Sequence, residues 1–211
     1  MQLQQRLDLT LAIAREAGER IVEARQRQDF GHQFKQGTEL VTDVDIAIDT
    51  LISERLEAAL PGEQRLSEEL APDPALMRSA RSLWVIDPID GTVNFAHGLH
   101  HVAVSIAWVQ EGKTQLGVVH APFLGETFTA LRGQGVWLNG KPIQASCSDN
   151  LECSLVATGF PYQRENRPPL VRRLGAVLEH VQDVRRNGSA ALDLCDVACG
   201  RLDAYYESVS P

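Results

Sequence analysis

The spacing of apolar positions changes period along the chain. From residue 2 to about 27, Leu3, Leu7, Leu11, Ala14, Gly18 and Ile21 recur at three- and four-residue steps with charges between them. That pattern predicts an amphipathic helix with one face on a core. Residues 28 to 39 break it, around Gly31 and Gly37, and read as a loop carrying Lys35. Leu40-Val41 leads into a second helix, where Ile46, Asp49, Leu51, Ile52, Leu56 and Leu60 follow an apolar–polar helical pattern that Pro61-Gly62 stops. Thr42 or Asp43 is a natural N-cap, and Asp45 falls in the first turn, where an acid compensates the helix dipole. Arg65-Leu66-Ser67 reads as a short strand ending in Glu68-Glu69, and residues 71 to 82, with Pro72 and Pro74, as a loop or short helix.

The period then shortens. Leu83 to Ile86 is a continuous apolar run, a buried strand, and Pro88 is expected to stop it. Gly91 supplies a tight turn, and Thr92 or Asn94 caps a short helix. Past His97-Gly98, Val102, Val104, Ile106 and Trp108 alternate as a half-buried strand. Gly112-Lys113 turns the chain into Val118, Val119 and Ala121, which Pro122 ends. Glu126 to Leu131 and Val136 to Leu138 follow as strands, then the Asn139-Gly140 hairpin signal and Pro142-Ile143. Beyond these lie a strand at Ser154 to Thr158, a charged loop from Gln163 to Pro169, and a helix marked by Leu170, Leu174, Val177, Leu178 and Val181. Asp183 to Arg185 reads as a short strand. A helix from Ala190 to Gly200 shows Ala191, Leu194, Cys195 and Ala198 on one face, and Ala204 to Glu207 forms a last strand. The fold class is α+β, with an α+β region at 1–145 and an α/β region at 146–211 sharing one cleft.

Composition narrows the function classes. The 211 residues are 44% hydrophobic and 23% charged, ordinary for a water-soluble globular chain. A net charge of −8 argues against a broad nucleic-acid surface. No apolar run reaches the ~20 residues of a membrane span, and the N-terminus lacks the apolar core of a secretory signal, so a cytoplasmic location is expected. Cys147, Cys153, Cys195 and Cys199 have no zinc-type spacing and read as reduced thiols, and His97, His100 and His101 fit no zinc signature either. Gly133-x-Gly135 lacks the third glycine and the strand-then-helix setting of a nucleotide loop.

The chemistry concentrates between Trp84 and Phe95. Asp87 and Asp90 stand three residues apart at a strand end, where repulsion and desolvation raise at least one pKa unless a cation lies between them. Gly188 and Ser189, at the start of the helix at Ala190, present free backbone N–H groups suited to a hydroxylated or anionic ligand.

The string Asp87-Pro-Ile-Asp-Gly-Thr-Val-Asn-Phe95 resembles the signature of the inositol monophosphatase family. Four further stretches match in order: Leu40 to Asp45, Ser67-Glu68-Glu69, Ala157 to Tyr162, and Gly188 to Ala191 through Glu207. The resemblance implies a layered α/β sandwich of the inositol monophosphatase and fructose-1,6-bisphosphatase type, without its C-terminal part. It implies a Mg²⁺-dependent, lithium-sensitive hydrolysis of a phosphate monoester on a small polyol, first of all inositol 1-phosphate, by a chain that forms a homodimer. It also brings Glu68 into the site, Lys35 near its mouth, and Asp45 into a hydrogen bond that polarises Thr92. The metal set is then Glu68, Asp87, Asp90 and the Ile89 carbonyl, all hard oxygen donors, which select Mg²⁺ and secondly Mn²⁺ in two or three positions. Asp87 bridges two ions, and Thr92, Asp45 and Glu68 prepare the attacking water. The phosphate rests on the Gly91-Thr92 helix start, and Asp90, Gly188, Ser189, Ala190 and Glu207 hold the leaving alcohol.

The chain departs from the family after Glu207, where a Trp-Asp ligand of the second ion is expected and Ser-Val-Ser-Pro211 stands instead. The expectation is a C-terminally truncated form with weak or no activity. Rivals are a phosphatase for fructose 1,6-bisphosphate or a nucleotide 3′-phosphate and, in another class, an inactive metal-binding regulatory or partner-binding protein.

Overall fold

The computed structural model describes residues 1–28, 30–35, 39–70, 73, 75–160 and 167–208. Helix α1 (Leu3–Arg27) is followed by β1 (His32–Lys35), β2 (Glu39–Thr42), α2 (Asp43–Ala59) and β3 (Gln64–Ser67). A short α3 (Leu76–Ser79) precedes β4 (Ser82–Asp90) and α4 (Thr92–Ala96). Then come β5 (Ala103–Gln110), β6 (Lys113–Ala121), β7 (Glu126–Leu131), β8 (Gly135–Leu138) and β9 (Lys141–Pro142). The last part holds β10 (Leu155–Thr158), α5 (Arg167–Leu178), β11 (Asp183–Arg185), α6 (Ala190–Ala198) and β12 (Ala204–Tyr206).

Strands β3 to β9 form a seven-stranded sheet in chain order, and β11-β10-β12 form a three-stranded one. The large sheet is antiparallel except for the parallel β3–β4 pair. The small sheet is parallel. Helices α1 and α2 cover one face of the large sheet. Ile13, Ala17 and Ile21 of α1 and Ile48, Ile52 and Leu56 of α2 meet Trp84, Ile86, Val104 and Ile106 in one buried cluster. Helix α6 covers the other face, where Leu192 packs on Ala103, Ala121 and Phe128. The period-two alternation of β5 divides its side chains between these layers.

Four predictions change. The strand does not stop at Pro88; it runs to Asp90, with Asp87 opposite Ser105 and Asp90 opposite Ala103, so that one residue bulges out. Proline has no N–H to lose, and a bulge is where a sheet tolerates it. Residues 28–39, read as a loop, contain half of an antiparallel hairpin, because β1 pairs with β2 from His32–Thr42 to Lys35–Glu39. Its residues carry no apolar alternation, so pattern alone could not find it. Helix α5 begins at Arg167 and carries Pro168 and Pro169 in its first turn, where proline fits, and it ends at Leu178, which is exposed. On α6 the buried residues are Leu192 and Asp193, while Leu194, placed by the sequence on the core face, is 55% exposed. Gly37, Pro72, Pro74, Pro161, Tyr162, residues 163–166 and Pro211 lie outside the described residues, as does the side chain of Lys35.

Candidate active site

Helix α2 begins with a reciprocal cap. Thr42 at the N-cap and Asp45 at the third helical position satisfy each other, and Asp45 Oδ2 accepts from the Thr42 backbone N–H at 2.8 Å and from its hydroxyl. The other oxygen, Oδ1, accepts from Thr92 Oγ1 at 2.8 Å. One carboxylate therefore both caps its helix and holds Thr92. Burial pushes the Asp45 carboxyl above its ordinary pKa, against the hydrogen bonds that lower it. Asp43 does not cap α2 with its side chain; its Oδ2 accepts from the Gly31 N–H at 3.1 Å.

Thr92 opens α4, and Gly91 takes the N-cap place with φ +97°. A Cβ at Gly91 would meet the His101 carbonyl at 2.7 Å, so this position requires glycine. The Thr92 hydroxyl is also 3.1 Å from the Ile89 carbonyl. It has one proton, which goes to Asp45 or to Ile89, and its lone pairs stay available to accept. Asn94, expected as a cap, instead donates to the carbonyls of His101 at 2.7 Å and Asn187 at 2.8 Å. It ties α4 to the loop before α6.

The bulge turns Asp87 and Asp90 into a cavity of about 240 Å³. Glu68, Gly188, Ser189, Ala190 and Glu207 line it too, and Arg186 is the basic residue at its wall. Asp45, Ile89, Gly91 and Thr92 are not among the lining residues. The Asp87 carboxyl feels the Asp45 charge.

Asp90 spans the two halves. Its Oδ2 accepts from Ser189 Oγ at 2.6 Å and from the Ala191 N–H at 2.6 Å, at the start of α6. Burial raises its pKa against these bonds. Ser189 caps α6 through its own oxygen, which accepts from the Leu192 N–H. Glu207, just beyond β12, accepts from the Tyr205 hydroxyl and lies so close against Gly159 that a Cβ there would overlap its carboxylate. The Tyr205 phenol is raised by burial and by Glu207.

Asp87 carries the decisive feature. Among the described residues its Oδ1 is buried with no hydrogen-bond partner. Burial, Asp90 and Glu68, in that order, push its carboxyl well above the ordinary range. Among the described residues no three His, Cys, Asp or Glu side chains converge as a ready-made cage. Mg²⁺ needs none, since it keeps several waters and binds through one or two carboxylates plus substrate phosphate. An all-oxygen donor set around an orphaned carboxylate oxygen fits such an ion. Asp87, with Glu68 or Asp90 as a second carboxylate, would hold it, and when bound it would polarise a phosphoryl oxygen and acidify water.

The sequence profile of the inositol monophosphatase family matches residues 2–210. The chain belongs to that family. The Nus factor SuhB of Pseudomonas aeruginosa is 39% identical over 209 residues, covering 97% of this chain and 77% of the relative. The Escherichia coli K12 protein of the same name is 36% identical over 203 residues, covering 95% and 75%. Among solved structures, the extragenic suppressor protein suhB of Bartonella henselae superposes with a TM-score of 0.88 at 33% identity, covering 96% of this chain and 78% of that one. The inositol monophosphatase of Anabaena superposes at 0.85 with 35% identity, covering 99% and 77%. The mixed, layered fold described above is the fold of this family.

Sequence reasoning missed Asp49, Asp193, Arg186 and Tyr205. Asp193 is 2% exposed and accepts from Asn187 Nδ2 at 2.7 Å. Asp49 is fully buried. An acid on the apolar face of an amphipathic helix is the signal that could have found both.

Proposed function

We propose that this family member is a Mg²⁺-dependent phosphatase that hydrolyses a phosphate monoester on a small polyol, with inositol 1-phosphate as first substrate. The observation that carries the reading is the unpartnered, buried Asp87 Oδ1 beside Asp90 and Glu68. Such a carboxylate is expensive to keep unless a cation completes it.

In this reading Thr92, whose proton is committed to Asp45 or Ile89, accepts a hydrogen bond from the attacking water and aligns it. Glu68 assists in taking the proton. The water oxygen bonds to phosphorus, the ester P–O bond breaks on the opposite side, and the alcohol leaves with a proton from solvent. Gly91 lets the backbone approach the phosphate. The polyol hydroxyls meet Glu207, Asp90 and the backbone at Gly188, Ser189 and Ala190. The regions 1–145 and 146–211 form the two walls, the first holding phosphate and ions, the second the alcohol.

The test is phosphate release from inositol 1-phosphate, fructose 1,6-bisphosphate and a nucleotide 3′-phosphate, with Mg²⁺ and with EDTA. Mg²⁺-dependent release, weak but fastest from inositol 1-phosphate, is expected. Absence of release from the whole panel would sink the reading. A second reading rests on the name Nus factor borne by relatives at 36–39% identity. It is a regulatory, partner-binding chain that retains the cation, and it predicts Mg²⁺ binding with no turnover.

A further inference from the structure

Helix α2 carries a second buried acid one turn after Asp45. Asp49 is 0% exposed, and it has no part in the mechanism above. Its Oδ2 accepts from three donors: the Ser67 hydroxyl, the Glu69 N–H at 3.1 Å and the Leu70 N–H at 3.0 Å. Its Oδ1 has Ser53 Oγ at 3.5 Å. The three donors come from the residue before Glu68 and the two after it. A single carboxylate oxygen thus grips the turn that carries Glu68 on both sides, while the Glu68 N–H bonds the Ile86 carbonyl of β4 at 3.3 Å.

We propose that Asp49 is a positioning residue for Glu68, setting the turn so that the Glu68 carboxylate faces Asp87 and a divalent cation. The proposal rests on the reading that Glu68 holds such an ion. The physical case begins with position. Residues four apart on a helix share a face, so Asp45 and Asp49 project from α2 in the same direction. Asp45 reaches Thr92 after β4, and Asp49 reaches the turn after β3. Helix α2 is thereby a rail that sets the spacing of two chain segments which carry site groups.

A neutral side chain could satisfy one or two turn amides. A fully buried carboxylate is costly unless several donors surround it, and its charge-assisted bonds are shorter and stronger than neutral ones. Strand β3 has four residues and lies at the sheet edge, paired among the described residues with β4 alone, so its end has little sheet to hold it. A stiff grip from below the sheet replaces that support.

The experiment compares the intact protein with Asp49→Asn and Ser67→Ala. Mg²⁺ alone is titrated by calorimetry, and amide exchange is followed at Glu69 and Leu70. Asp49→Asn is expected to weaken Mg²⁺ binding about tenfold, as loss of a group that orients a metal ligand does. The Mg²⁺ concentration for half-maximal phosphate release should rise by the same factor, with kcat at saturating Mg²⁺ changed far less. Ser67→Ala should shift both in the same direction by a smaller factor, with faster exchange at both amides. Glu63→Gln, at the opposite end of β3, should leave Mg²⁺ affinity untouched. A variant with faster exchange and lower melting temperature but wild-type Mg²⁺ affinity would overturn the proposal, leaving Asp49 a purely structural clamp. If Asp49→Asn does not fold, Ser67→Ala decides between the two roles on the same two readouts. Failure of the wild-type protein to bind any divalent cation is a different result: it removes the functional reading, and this one with it.

Discussion

The two ends of β4 treat neighbouring carboxylates in opposite ways. Near its start, Trp84 donates from Nε1 to Glu63 at 2.7 Å, and Arg6 clasps the same carboxylate with two bonds of 2.7 and 2.6 Å. The Arg6 guanidinium also sits 4.2 Å from the Trp108 ring. Arg6 holds the Glu63 carboxyl below its ordinary pKa. Three residues further along the strand, Asp87 has an oxygen with no partner among the described residues and a carboxyl pushed above its ordinary pKa. Along one strand the sign reverses: near its start an acid from before β3 is neutralised by Arg6 and supports the fold, while at Asp87 the fold leaves the acid exposed to its neighbours' repulsion. A chain keeps that repulsion where a ligand relieves it.

The largest effect tests the Asp87 end. Asp87→Asn should lower Mg²⁺-dependent phosphate release on the order of 10³-fold, about 4 kcal/mol of transition-state stabilisation. In EDTA the same variant should melt higher than wild type, because an uncompensated buried charge is gone. Activity that survives, or a lower melting temperature in EDTA, would erase the contrast between the ends.

Next is Thr92→Val, which keeps shape and removes the hydroxyl. A fall of about 10²-fold in kcat is expected, the loss of a group that orients and helps deprotonate water, with Mg²⁺ affinity unchanged by calorimetry. A parallel loss of Mg²⁺ binding would show that Thr92 acts through the ions instead.

Glu63→Gln probes the other end. It leaves Arg6, 8% exposed, without its carboxylate, and should cost about 1–3 kcal/mol at pH 7 by denaturant unfolding, with kcat unchanged. The sign with pH follows from the lowered pKa. The advantage of wild type is present above the ordinary glutamate pKa of about 4.3 and vanishes as pH falls through the lower folded value. A stability gap that persists at pH 2 would show that shape, not charge, is responsible.

The smallest effect concerns the opposite wall. Gly159→Ala places a methyl group within 2.5 Å of the Glu207 carboxylate and should push it aside. Loss of one hydrogen bond to the alcohol, about 1 kcal/mol, would raise KM about five-fold and spare kcat. An unchanged KM would remove Glu207 from the alcohol's contacts.

Much of the fold is readable from residue order alone. Helix α1, helix α2 with its Thr42 cap, and the alternating strands from β5 to β8 follow from period and from turn residues. The string from Asp87 to Phe95 is legible because strand end, glycine turn and helix start are all local, whereas the bulge that carries the strand past Pro88 shows only in its pairing with β5. The hairpin of β1 is not, since four polar-rich residues gain their form only from pairing. The exposed Leu194 misleads because the face of a short helix is chosen by what it packs on. Asp49 reads as one polar beat in a helical rhythm until the turn after β3 is laid against it.

The sequence by itself determined where acids could gather, because it sets two carboxylates three residues apart at a strand end, just before a glycine turn. Only the tertiary structure decided which acids are satisfied and which are not. Thr92 meets Asp45 across 47 residues, and Ala191 meets Asp90 across 101. Hydrogen bonds reach only about 3 Å, so partnerships at such separations exist once helices α2 and α6 are fixed on either face of the sheet.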